Sequence, residues 1–150
     1  MGEFGRRLLW MAGLAGAVIT GDQVSQVLAA LLRSGPGDPV WRFQFATLMV
    51  GRQVPLLFGL LLVAWTGWSA GASRAVRAMS WASWAVAVLL AAAVTVLWVD
   101  GPAARQVLLA DQLSVFTVQW IRALLVGAAG IGSWTLMGWG LGRASSNTTP

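Results

Sequence analysis

Hydrophobic and polar positions divide this chain into four long apolar tracts, separated by short segments that contain most of the charged residues. Each tract is long enough to cross the ~30 Å hydrocarbon core of a bilayer as a helix, which takes about 20 residues. The turn-forming run Ser34-Gly35-Pro36-Gly37-Asp38-Pro39 ends the first tract unambiguously. The predicted spans are about 8–32, 43–68, 79–99 and 113–141.

Composition places the chain in the membrane class, because 57% of its residues are hydrophobic and only 10% are charged. We therefore predict one all-α domain over residues 1–150, an integral membrane four-helix bundle. The connector after the third span is expected to form a short surface helix over 103–110. Residues 143–150 form a polar tail that we expect to be disordered.

The arginines predict the orientation of this bundle. Counted near the ends of the spans, five arginines fall on one side of the membrane and three on the other. The side richer in Arg is usually cytoplasmic, so both termini are predicted to be cytoplasmic. The five are Arg6, Arg7, Arg74, Arg77 and Arg143, and the three are Arg33, Arg42 and Arg105.

Three ionisable residues interrupt the predicted spans: Asp22 in the first, Arg52 in the second and Arg122 in the fourth. A charge in hydrocarbon costs from ~3 to more than ~10 kcal/mol, so such residues usually face a bundle interior and find a partner. Their positions within the spans place all three in the outer half of the membrane. We predict a shared polar layer there, made of Asp22, Gln26, Arg52, Gln53, Gln119 and Arg122.

Two roles suit this predicted layer. As a buried ion pair with amide hydrogen bonds, it would fix the register of the first, second and fourth helices. As a binding site, it would take an anionic lipid headgroup or polymer, because one aspartate against two arginines leaves a surplus positive charge. An ion pathway is a weaker alternative, since it would depend on a single carboxylate.

Glycine and proline predict further local features. Pro55 has no N–H to give to the carbonyl of Gly51, so the stretch between them is expected to be kinked or locally unwound. Gly13, Ala17 and Gly21 repeat every four residues and predict a groove for close helix packing. Its expected target is the fourth helix, at Ala123 and Gly127 or at Ala128 and Gly132. Such grooves would equally suit a partner protein, a lipid, or a flat pigment such as a carotenoid or chlorophyll.

The missing residue types limit the chemistry. The chain has no Cys, His, Lys or Tyr, which removes thiol chemistry, imidazole catalysis, histidine metal sites and Schiff-base lysines. We therefore expect no enzyme and no metal site. Ten arginines against five acidic residues give a net charge of +5, but the arginines do not cluster and most lie singly or in pairs at the tract ends, so nucleic acid is not an expected partner.

The second span resembles the corresponding region of the cyanobacterial HpsJ family. The likeness lies in Trp41-Arg42, in Val50-Gly51-Arg52-Gln53-Val54-Pro55-Leu56, in Gly59 and Gly67-Trp68, and in the last span around Trp120-Ile121-Arg122-Ala123-Leu124-Leu125. That family consists of integral membrane proteins linked to hormogonium polysaccharide production and exosortase-type sorting. Gly51 departs from the acidic residue common there, and a brief connector replaces the family's long coiled-coil segment.

The resemblance implies a pathway and no catalytic residues. We expect an accessory or scaffold protein of an envelope assembly linked to exopolysaccharide, with membrane lipids and other membrane proteins as partners. Two alternatives remain: a small subunit of a photosynthetic or energy-converting complex, and a transporter component. The expected location is a bacterial plasma membrane or a thylakoid.

Overall fold

The computed structural model describes residues 3–32, 38–106 and 112–146. Each predicted span is a helix: α1 (Glu3–Leu32), α2 (Pro39–Ser69), α3 (Ser73–Gln106) and α4 (Leu113–Ser146). All four are long and apolar enough to cross a membrane. No strand occurs within the described ranges. The protein is therefore an all-α integral membrane protein with a four-helix bundle, as predicted.

The helices extend beyond the predicted spans. α3 continues through Gly101 and Pro102 to Gln106, so residues 103–106 do not begin a separate surface helix. α4 continues to Ser146, so the disorder expected for 143–146 is wrong. The rest of the predicted surface helix and residues 147–150 lie outside the described residues. Polar residues at the end of a span can stay helical because the helix satisfies its own backbone while the side chains reach the headgroup region.

A tight turn joins α2 to α3 and makes them antiparallel neighbours. Gly71 has a φ of 70°, a left-handed conformation that glycine adopts without the steric cost of a Cβ. The N–H of Ala70 donates to the carbonyl of Thr66, and the N–H of Ala72 donates to the carbonyl of Gly67. These bonds give hydrogen-bond partners to carbonyls in the last turn of α2. The chain therefore reverses within a few residues.

The main core lies between α2, α3 and α4. On α3 the buried positions from Val76 to Asp100 follow one another at steps of three or four residues, which places them along one side of the helix. Trp134 of α4 is completely buried and is the largest side chain of this core. The buried members of the core are Ala46, Val50, Leu60, Ala87, Leu90, Ala93, Leu97 and Trp134.

α1 lies at the edge of the bundle. It packs against α2 and against neither α3 nor α4. Its buried residues are Leu9, Gly16 and Gln23, which recur every seven residues and so share one face. None of them belongs to the main core. The remaining faces of α1 are largely exposed, although most of their side chains are apolar.

Candidate interhelical polar site

The depth of each polar residue can be read against α3, whose residues 78–99 carry no charge between Arg77 and Asp100. At ~1.5 Å per residue this stretch is ~33 Å long, close to the thickness of a hydrocarbon core. We call its two limits the Arg77 end and the Asp100 end. Leu89 then lies near the middle of the membrane.

Arg52 lies at this middle depth. With Gln23 of α1 it lines a cleft of about 230 Å³ whose α3 wall is Val86, Leu89 and Leu90. The cleft lies between α1 and α3, which do not pack against each other. Arg52 therefore lies near mid-membrane, at the inner limit of the outer half in which the sequence predicts it.

Gln23 connects Arg52 to Asp22. The Arg52 Nη1 atom donates to Gln23 Oε1 at 3.4 Å, and Gln23 Nε2 donates to Asp22 Oδ2 at 2.9 Å. Gln26 Nε2 donates to the same Asp22 oxygen at 2.9 Å. Within the described residues, Asp22 forms no ion pair, so it does not bond directly to Arg52. A carboxamide lies between the two charges instead.

Gln23 gives little signal in the sequence because it is neutral and lies beside a charged residue. Its position seven residues after Gly16 and fourteen after Leu9 places it on the face of α1 that meets α2. Asp22 lies about 100° away around the helix and is exposed. The heptad spacing was the available signal, but the small-residue repeat Gly13-Ala17-Gly21 pointed to a different face.

Gln53 forms a separate contact between α2 and α4. Its Nε2 donates to the carbonyl of Val126 at 2.7 Å, and the residue is only 4% exposed. Its carboxamide lies directly against Gly130, where a Cβ would collide with it. The Oε1 atom of Gln53 is buried and has no hydrogen-bond partner among the described residues. Gln53 is thus a buried interhelical link, although it does not join Asp22.

Gln119 and Arg122 do not join the predicted layer. Both are exposed on α4, and neither has a hydrogen bond or ion pair with another described residue. Val126 and Gly130, which contact Gln53, follow Arg122 along α4 by about one to two turns. Arg122 therefore lies ~9 Å nearer the Asp100 end than the Gln53 contact does. A layer shared by the first, second and fourth helices is therefore wrong, because α1 and α4 do not pack against each other and their charges lie at different depths.

The predicted kink region is helical throughout. α2 is unbroken from Pro39 to Ser69, with Pro55 inside it, so the local unwinding expected at Gly51 is wrong. Gly51 is exposed, and a Cβ there would meet nothing within 4 Å. A bend at Pro55 stays a prediction. Neighbouring groups and small local adjustments commonly allow proline to remain in membrane helices.

The small-residue groove of α1 has a different target from the one predicted. Gly13 faces Thr66 of α2, whereas Ala17 and Gly21 are exposed and a Cβ at Gly21 would meet nothing within 4 Å. The expected packing of this groove against α4 is therefore wrong. On α4, Ala123 is partly buried against the main core. Gly127 is buried where α4 meets Val94 of α3 and Val50 of α2.

The Asp100 end carries two polar contacts that the sequence did not reveal. Arg42 of α2 binds Asp100 of α3 through Nε to Oδ2 at 3.0 Å and Nη2 to Oδ1 at 3.3 Å. Trp120 of α4 donates from Nε1 to the carbonyl of Leu97 at 2.7 Å and packs on Gly101. These contacts tie α2, α3 and α4 together at one membrane boundary.

No protein-family model, curated protein or solved structure matches this chain. Over the parts of the chain that the structure describes, no three His, Cys, Asp or Glu residues come together as metal ligands would. The site is instead a hydrogen-bonded chain from Arg52 through Gln23 to Asp22. This chain places a guanidinium beside an apolar cleft on one flank of α1 and an exposed carboxylate on the other flank.

Proposed function

We propose that this protein is a non-enzymatic accessory or scaffold subunit that assembles with other membrane proteins in a bacterial envelope. The observation that carries this proposal is the position of Asp22, a carboxylate exposed at middle membrane depth on a helix attached to only one neighbour. Ionisable groups at such depth are almost always shielded by protein or water. A second protein packed on α1 would provide that shielding.

The pathway we propose is exopolysaccharide production or secretion. Its support is the resemblance of Val50-Gly51-Arg52-Gln53-Val54-Pro55-Leu56 to the HpsJ family. A non-enzymatic role is supported by the residue inventory, which lacks Cys, His, Lys and Tyr. The proposed location is a plasma membrane or thylakoid of a cyanobacterium, with lipids and other membrane proteins as partners.

Two measurements in the native host test this proposal. Deletion of the gene should lower exopolysaccharide output, and the tagged protein in mild detergent should copurify with proteins of glycan export or sorting. Unchanged output together with the absence of any copurifying membrane protein would contradict the proposal. Copurification with pigments and photosystem or dehydrogenase subunits would instead show membership of an energy-converting complex.

A further inference from the structure

One exposed face of α1 carries the carboxylate of Asp22. Residues 15, 18, 22, 25 and 29 are spaced by three and four, so they lie along one side of the helix, and all five are exposed. We call this side the Asp22 face. It consists of Ala15, Val18, Asp22, Ser25 and Ala29. Apart from Val18 and Asp22 these side chains are very small, which allows the backbone of another helix to approach closely.

The carboxylate of Asp22 accepts hydrogen bonds but has no ion-pair partner among the described residues. Its Oδ2 atom accepts bonds from the amides of Gln23 and Gln26, both on α1 itself. Arg52 reaches Gln23 and forms no ion pair with Asp22. Amide donors lower the cost of desolvating a carboxylate, yet a formal charge at this depth still favours an opposite charge as its neighbour.

An open groove adjoins this face toward the Asp100 end. Its volume is about 440 Å³, and it lies where α1 and α2 diverge. Gln26 and Gln44 provide polar groups along it, and Trp41 stacks on Phe45 with ring centroids 5.2 Å apart to form an aromatic wall. A partner helix seated on the Asp22 face would be able to place side chains in this groove.

We propose that the Asp22 face binds a transmembrane helix of a different membrane protein, one that carries Lys or Arg near its midpoint. This inference rests on the proposed function and specifies the partner's chemistry. Charge complementarity selects the occupant, because a basic side chain at mid-membrane depth would neutralise Asp22 and be neutralised by it.

A second copy of this protein and a lipid headgroup match the charge and the depth of Asp22 less well. In a parallel two-fold dimer through this face, Asp22 would meet the Asp22 of the second copy, which is repulsive. Arg122 of a parallel second copy would not meet Asp22, because it would lie roughly 9 Å or more nearer the Asp100 end than Asp22 does. Lipid phosphates lie at the membrane surfaces, about 15 Å from a carboxylate at middle depth.

Site-specific crosslinking in native membranes tests this proposal. The sequence has no Cys, so single-cysteine variants report one position each. Ser25→Cys places the probe on the Asp22 face, and Ala17→Cys is the matched control, exposed on the same helix about 140° around its axis from Asp22. Ser25→Cys should crosslink to one transmembrane segment that contains Lys or Arg, and Ala17→Cys should not crosslink to it.

The charge is tested in the Ser25→Cys background. Adding Asp22→Asn should lower the yield of that crosslink by roughly threefold to thirtyfold, the range expected for a polar contact between membrane helices. Adding Asp22→Glu, which keeps the carboxylate, should preserve most of it. Asp22→Arg should abolish it, and replacing the mapped basic residue of the partner with Asp should restore it.

Several results would overturn the inference: an equal yield with Asp22→Asn, a partner segment without Lys or Arg, a crosslink to a second copy of this chain, or no crosslink at all. If the protein still copurifies with its assembly in any of these cases, the proposed function stands and only the docking site is wrong. If nothing copurifies and deletion has no phenotype, the proposed function fails as well.

Discussion

Gly16 of α1 and Gly59 of α2 meet backbone to backbone. A Cβ placed on Gly16 would lie 2.6 Å from the carbonyl oxygen of Gly59, and one placed on Gly59 would lie 3.0 Å from the carbonyl oxygen of Gly16. Because α1 packs on α2 alone, this crossing is central to the attachment of α1. Thr66 adds a hydrogen bond from Oγ1 to the carbonyl of Leu9 at 3.3 Å.

We predict that Gly16→Ala loosens α1, since the obstructing atom belongs to the backbone and cannot move aside easily. The expected loss is ~1–3 kcal/mol of unfolding free energy, typical of overpacking. Gly21→Ala is the control, because a Cβ there meets nothing within 4 Å, and it should be neutral or slightly stabilising. Unfolding in SDS, followed by tryptophan fluorescence, measures both. Equal effects of the two substitutions would show that this crossing does not limit stability.

The contact between Gln53 and Gly130 predicts a compensating pair. Gly130→Ala should destabilise the bundle strongly, because its methyl group would occupy the space of a buried carboxamide. Adding Gln53→Ala should recover part of the loss by removing that carboxamide. Gly132→Ala, at an open position two residues away, is the control and should have little effect. The wild type, Gly130→Ala, Gln53→Ala and the double variant form a double-mutant cycle in SDS unfolding, and strict additivity of Gly130→Ala and Gln53→Ala would refute the contact.

The ion pair between Arg42 and Asp100 predicts a modest contribution to stability. Arg42→Met should lower the unfolding free energy by ~1 kcal/mol, because the partly exposed guanidinium is screened while Asp100 loses two donors. Arg105→Met, also near the Asp100 end and exposed, is the control and should have a smaller effect. The thermal midpoint in detergent should therefore fall more for Arg42→Met than for Arg105→Met. High salt should reduce this difference, because it screens the ion pair. An identical shift for both arginines would contradict a specific pair.

The relay through Gln23 predicts that Gln23 and Arg52 are energetically coupled. Gln23→Leu removes the only polar contact of Arg52 among the described residues and should destabilise the attachment of α1 by ~0.6–2 kcal/mol. In the Arg52→Met background the same substitution should cost less, since no guanidinium is left unpaired. Gln26→Leu should show no such dependence on Arg52. A double-mutant cycle measures the coupling, and a coupling of zero would remove the relay.

The orientation remains a prediction from the arginine distribution, with both termini cytoplasmic. A fluorescent reporter that folds only in the cytoplasm should be bright when it is fused after Pro150. A periplasmic alkaline phosphatase fused at the same place should be inactive, and the same enzyme inserted after Gly37 should be active. The opposite pattern of activities would invert the topology.

Several positions show where sequence reasoning reached its limit. Asp22 and Arg52 were recognised because charges within apolar tracts stand out, and Gln26 was recognised because it lies one turn from Asp22. Gln23 was overlooked because a neutral amide beside a charge gives little signal. The position of Arg122 along its span predicts that it belongs to the same layer. Depth along a helix, however, gives no information on the direction in which the side chain of Arg122 points.

The sequence by itself determined the four membrane helices, because insertion into hydrocarbon depends on the hydrophobicity of each continuous segment and needs no knowledge of its neighbours. Only the tertiary structure decided which helices touch. Lipid tails and packed helices are about equally apolar, so the surfaces of these helices carry no strong mark of the side that is buried. The contacts therefore depend on local shape, such as Gly16 against Gly59, and on a few polar atoms, such as those that connect Arg52 to Gln23 and Asp22.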